Sequence, residues 1–83
     1  MNRILVSVYV PAAGRAYDVS LPLALRLSQV MPLVARTLTE LSDGRYSAGP
    51  DAALCDRASG SFLNAECTLW ELGLRDGAQL MLI

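Results

Sequence analysis

Hydrophobic and polar residues alternate strictly from Arg3 to Val10. Ile4, Val6, Val8 and Val10 fall on one side of an extended chain, and Leu5, Ser7 and Tyr9 fall on the other. This pattern predicts a half-buried strand. Pro11-Ala12-Ala13-Gly14 is turn chemistry, and Arg15 to Leu21 resumes the two-residue period with Tyr17, Val19 and Leu21 inward. The two runs predict a hairpin that Pro22 closes, followed by an apolar crossover from Leu23 to Leu27. Beyond it the period changes to three or four: Val30, Val34, Leu38 and Leu41 lie on one helical stripe, with Ser28 as the expected cap and Ser42-Asp43-Gly44 as the stop. Pro32 sits inside that stripe, where it removes a backbone donor and disfavours helical geometry at Met31.

The segment from Arg45 to Asp51 has no period and reads as a loop. Ala52–Asp56 reads as a third strand, Ala58-Ser59-Gly60 as a turn, Ser61–Leu63 as a short fourth strand and Asn64–Thr68 as a polar connection. Leu69, Leu72 and Leu74 have the spacing of a short helical turn with an apolar underside. Asp76-Gly77 is a turn pair, and Gln79 to Ile83 reads as the last strand. A hairpin, one helix and returning strands require the helix to cross one face of a mixed sheet, with the last strand parallel to the first. The expectation is an α+β fold of about five strands, one main helix and a short helical turn, forming a single domain over residues 1–83.

Composition narrows what such a domain can do. The chain has 83 residues, 53% of them hydrophobic, enough to close one core but not two. Arg26 and Arg36 interrupt the apolar runs before they reach the roughly 18 to 20 residues of a membrane span, so no direct membrane insertion of this segment is expected. The single positive charge ahead of Ile4–Val10 resembles a secretory leader only superficially, because the segment alternates and is short. Seven basic residues, all arginine, face eight acidic ones without a run of either sign, which argues against nucleic acid as a partner. Histidine is absent, and Cys55 and Cys67 have neither metal-ligand nor redox-motif spacing. Both thiols are expected to be free. Glu71 and Asp76 read as a solvated face, with Asp76 serving the turn before Gly77. No nucleophile with a base, carboxylate dyad or phosphate loop is visible, so the expectation is a non-enzymatic protein with no cofactor and no metal.

Several runs also carry a family resemblance. Tyr17-Asp18-Val19-Ser20-Leu21-Pro22, the helix with Leu33-Val34 and Leu38, and above all Thr68-Leu69-Trp70-Glu71-Leu72-Gly73-Leu74-Arg75-Asp76-Gly77 with Leu80 and Leu82 resemble the YukD/EsaB proteins. They are equally similar to the N-terminal cytosolic domain of EccD membrane proteins, and both groups belong to bacterial type VII secretion systems. The resemblance covers nearly the whole chain and implies a ubiquitin-like β-grasp fold. It also implies an accessory or structural role beside a membrane ATPase or channel component, in the cytoplasm and near the inner face of the membrane. The single-domain length fits a free-standing YukD-like protein, and the Ala/Arg-rich composition fits an EccD domain. The rival reading, a ubiquitin-like covalent modifier or sulfur carrier, expects a Gly-Gly terminus, whereas the sequence given ends at Ile83.

Strand alternation then points to a surface. If Ile4, Val6, Val8, Leu80 and Leu82 face the helix, Leu5, Tyr9, Met81 and Ile83 project from the opposite face and are expected to form one apolar patch, with Cys55 at its border. Docking through this face, to another secretion protein or to a second copy as a homodimer, is the expected mode of action. Trp70 is the second candidate, because the neighbouring leucines already supply the inward side of its turn.

Overall fold

The computed structural model describes residues 2–47, 49 and 51–83; Met1 and, within the Arg45–Asp51 loop, Ala48 and Pro50 lie outside the described residues. Strand β1 (Arg3–Val10) and strand β2 (Arg15–Pro22) form the hairpin that the alternation demands, paired through eight positions from Arg3 with Pro22 to Val10 with Arg15. Helix α1 (Leu27–Leu41) follows, then strand β3 (Leu54–Asp56) and strand β4 (Gln79–Leu82). The sheet order is β2-β1-β4-β3. The central pair β1–β4 is parallel and the outer pairs are antiparallel.

The sheet differs from expectation in strand number. Among the described residues it has four strands, because Ser61–Leu63 forms only an isolated bridge between Phe62 and Cys55. The chain returns from the Gly60 turn for one bridged pair. Asn64 then turns it away, its side-chain oxygen accepting the Glu66 N–H at 2.9 Å. The third strand starts at Leu54 rather than Ala52, yet Ala53 still exchanges two backbone hydrogen bonds with Ile83, at 2.8 and 3.0 Å.

One hydrophobic core fills the space between α1 and the sheet. Ile4, Val6, Val8 and Val10 from β1, Val19 and Leu21 from β2, and Leu80 and Leu82 from β4 are all buried. They meet Leu27, Val30, Val34 and Leu38 from the helix stripe, with Leu54 and Leu69 closing the sides. Period two on the sheet and period near four on the helix thus converge on the same volume.

The helix begins two residues earlier than the Ser28 cap implies, with Arg26 in the capping position and no side-chain cap. Backbone replaces it. The Leu27 N–H donates to the Cys67 carbonyl and the Ser28 N–H to the Ala65 carbonyl, both at 2.9 Å, so the connection after β3 satisfies donors that a helix start leaves open. The Gln29 side chain adds an acceptor for the Arg26 N–H at 3.0 Å. At the other end Gly44 donates to Thr39 and Asp43 to Glu40, a Schellman closure that places Asp43 at φ 55°.

Pro32 lies in the second turn, an exposed residue inside α1. It cannot donate to the Ser28 carbonyl, and its ring crowds that carbonyl. The helix persists because its buried stripe outweighs this local cost. Pro32→Ala is therefore expected to stabilise the fold by about 1–3 kcal/mol, the lower end reflecting the freedom that proline removes from the unfolded chain. Urea denaturation of both proteins checks it, with an unchanged or lower midpoint counting against the strain assigned to this position.

Candidate functional site

With α1 on one face of the sheet, the alternate residues of each strand form the other face. The register gives their arrangement. Tyr9 is opposite Ala16 on β2 and opposite Met81 on β4, Met81 is opposite Cys55 on β3, and Cys55 bridges Phe62. Directly opposed residues share a face, so Ala16, Tyr9, Met81, Cys55 and Phe62 form one row across the sheet, roughly 19 Å long at the usual strand spacing. Ile83 lies two residues along from Met81 on the same side.

Exposure within the row is uneven. Phe62 is 65% exposed and Ile83 52%, whereas Tyr9 and Met81 are half-buried. Cys55 is fully buried although it faces the open side, and its thiol lies 3.5 Å from the Met81 carbonyl oxygen. The expectation that Cys55 borders the patch is corrected by its position: it is the floor between Met81 and Phe62. The Arg57 guanidinium stacks 4.3 Å from the centre of the Tyr9 ring, giving the apolar row a cationic rim. Both cysteines are free thiols, Cys67 standing in the connection that caps α1.

Leu5 is 51% exposed on the same face but does not join that row. The paired Ser7 and Gln79 stand between it and the Tyr9–Met81 pair, and four residues of strand separate Leu5 from Tyr9 by roughly 13 Å. The expected single patch of Leu5, Tyr9, Met81 and Ile83 is thus divided. The turn after the leucine segment brackets Leu5 instead: the Asp76 carboxylate accepts the Leu5 N–H at 2.8 Å, and Gly77, at φ 86°, donates to the Leu5 carbonyl at 2.8 Å. Asp76 therefore fastens the last turn to the first strand.

Trp70 is 71% exposed on the turn that buries Leu69 completely. It lines a shallow, mainly apolar groove of about 480 Å3 with Asn2, Leu23, Ala24 and Thr68, beyond the ends of β1 and β2 that lie away from Tyr9. Its backbone N–H donates to the Leu23 carbonyl. The turn is built by two local devices. At its start the Thr68 N–H donates to Glu71 Oε1 at 2.8 Å and the Glu71 N–H donates to the Thr68 hydroxyl at 3.0 Å, a complete capping box. The Thr68 backbone N–H foremost, then the Thr68 side chain and a weaker pull from Arg26, hold the Glu71 carboxyl below its ordinary range. At the end, Gly73 at φ 74° donates to Trp70 while Leu74 donates to Leu69, a second Schellman closure.

Two features escape the sequence reading. Phe62 belongs to a segment expected as a strand, and alternation with the half-buried Leu63 is the signal that places it outward. The Thr68-x-x-Glu71 spacing is a capping-box signature in plain view. Among the described residues no cluster of three or more His, Cys, Asp or Glu side chains is placed to hold a metal ion, and no helix is long and apolar enough to cross a membrane.

One helix across a mixed four-stranded sheet with parallel central strands, and a short turn before the last strand, defines a ubiquitin-like β-grasp domain. The chain belongs to the YukD family of the WXG100 protein secretion system, whose family model matches residues 4–82. No curated protein matches it by sequence. Among solved structures, it is similar to the ubiquitin-like domain of the Mycobacterium tuberculosis type VII secretion system protein EccD1, with TM-score 0.79 and 22% identity over 100% of this chain and 99% of that one. It is also similar to the EccD5 ubiquitin-like domain from Mycobacterium xenopi, with TM-score 0.83 and 20% identity over 100% and 94% of the two chains. A chain of an ESX-5 inner membrane complex matches with TM-score 0.73 and 25% identity; this domain spans 21% of that much longer chain.

Proposed function

We propose that this domain is a non-enzymatic docking module of a type VII secretion machine. It acts in the cytoplasm at the inner face of the membrane and binds another machine component, the membrane ATPase or a channel subunit, through its open sheet face. The observation that carries this reading is the row of Tyr9, Met81 and Phe62 over the buried Cys55, with Ile83 beside it, left uncovered because α1 occupies only the opposite face. An apolar strip of this kind with an arginine rim has the anatomy of an interface centre, in which a few aromatic and aliphatic anchors dominate the binding energy. Membership of the YukD family and likeness to a domain within an ESX-5 inner membrane complex support a partner drawn from the same machinery.

Co-purification with the secretion membrane complex tests the site. Met81→Asp is expected to remove association, at the cost of a melting temperature a few degrees lower because Met81 is half-buried. Leu5→Asp, outside the row, is expected to retain it. Equal retention by both folded variants would move the interface elsewhere, and equal loss would mean that the contact spans the whole face.

A further inference from the structure

The geometry points to a second binding site, for a carboxylate-bearing segment of an acidic protein partner, in a cleft at the end of the molecule where the hairpin turn meets the loop after α1. The cleft encloses about 440 Å3 and is lined by Ala12, Ala13, Arg15, Tyr17, Arg45 and Tyr46. It lies on the helix side of the sheet, since Tyr17 is opposite the buried core residue Val8, and is therefore separate from the open-face row and independent of the function proposed for it.

Two guanidinium groups converge here on a chain whose formal net charge is -1. Among the described residues the ion pair is Arg36 with Glu40, at 3.5 Å, so neither Arg15 nor Arg45 has a carboxylate partner there. Arg15 is steadied 5.8 Å from the centre of the Tyr17 ring. The walls are anchored: Ala13 and Gly14 donate to the Val10 carbonyl, Arg45 donates to the Ser42 carbonyl, and the Tyr46 N–H donates to the buried Ser42 hydroxyl at 3.1 Å. The Tyr46 phenol is a neutral hydroxyl able to donate, as any tyrosine is near neutral pH, and burial pushes its titration higher still. Fixed walls lower the ordering cost that a small ligand would otherwise impose.

Three features select a carboxylate on an organic body over phosphate. The cleft lies beside the C-terminal end of α1, whose partial negative charge opposes a dianion more strongly than a monoanion. The backbone amides of Gly14 and Gly44, which could have cradled phosphate, are already spent on Val10 and Thr39. The methyl groups of Ala12 and Ala13 and the tyrosine rings offer apolar surface that a bare anion cannot use, while an arginine fork suits a carboxylate in bidentate geometry.

Amide NMR titration of the chain with the capped peptide acetyl-Leu-Glu-Ala-Glu-amide tests the proposal. The glutamine version of the peptide, inorganic phosphate and phosphatidylcholine–phosphatidylglycerol vesicles are the comparisons. Saturable shifts are expected at Ala12–Tyr17 and Arg45–Ser47 with a Kd of about 1 mM or tighter, weakening with salt. The glutamine peptide is expected to give no saturation, and the Arg15→Gln/Arg45→Gln pair to weaken binding by about tenfold or more. Both arginines are exposed, so the variant keeps its spectrum outside the cleft. Absence of saturation, equal binding of the neutral peptide, undiminished binding by the variant, or tighter binding of phosphate or vesicles would each overturn the assignment.

Discussion

Phe62→Asp is expected to weaken binding to the secretion partner by about 30-fold, the equivalent of a 2 kcal/mol anchor, while leaving the melting temperature within a degree or two. Two observations make this the sharpest substitution on the open face. Phe62 is 65% exposed and lies outside the regular strands, held only by the bridge to Cys55, so removing its ring deletes little that the folded monomer uses. It also ends the row through Cys55, Met81 and Tyr9, where an aspartate would carry its charge into the surface a partner must desolvate. Calorimetric or surface-binding titration against the isolated partner measures the effect. If the partner is a second copy of this chain, the same substitution is expected to abolish a concentration-dependent dimer in light scattering. Unchanged affinity in a folded Phe62→Asp protein would remove the ring from the interface.

The largest loss of stability is expected from Leu69→Ala, at about 3 kcal/mol, lowering the melting temperature of so small a domain by roughly 15 °C. Leu69 is fully buried, and it is where the turn from Thr68 to Leu74 plugs the side of the core. Truncating it opens a cavity. It also loosens the segment whose Ala65 and Cys67 carbonyls cap α1 and whose Asp76 holds the first strand, so the local loss reaches both layers. Trp70→Ala, one residue on, removes a larger side chain that is 71% exposed and is expected to change stability by about 0.5 kcal/mol or less. Thermal melts of the two variants decide the matter, and comparable destabilisation by both would show that the indole shares the turn's packing role.

These contrasts show which parts of the molecule local pattern could specify. Period two placed Ile4, Val6, Val8 and Val10 against the core, and leucine spacing placed Leu69 inward, because each depends only on the geometry of its own element; the same spacing leaves Trp70 open between an exposed anchor and an edge-packing role, and the structure leaves it 71% exposed. The local run Ser61–Leu63 does not reveal that Asn64 turns the chain after one bridge, so among the described residues the sheet has four strands where the pattern predicts about five. The site was legible by face but not by neighbourhood. Alternation assigned Leu5, Tyr9, Met81 and Ile83 to one side of the sheet, but their clustering depends on the register between β1 and β4, residues separated by some seventy positions in the chain. That register, set with the help of Asp76 on the Leu5 N–H, pairs Tyr9 with Met81 and strands Leu5. Arg57 over Tyr9, and Cys55 as the floor beneath Met81 and Phe62, follow from the same long-range pairing.

The central claim is that the sheet face opposite α1 is where this domain is held in the secretion machine. Amide hydrogen exchange of the chain, alone and assembled with the membrane complex, tests it most directly at the exposed side of Cys55–Phe62 and along Gln79–Ile83. The account requires new protection there, with the solvent-facing residues of α1 around Leu33 and Arg36 exchanging as in the free domain. Protection confined to α1, with the β3–β4 segment unchanged, would contradict it.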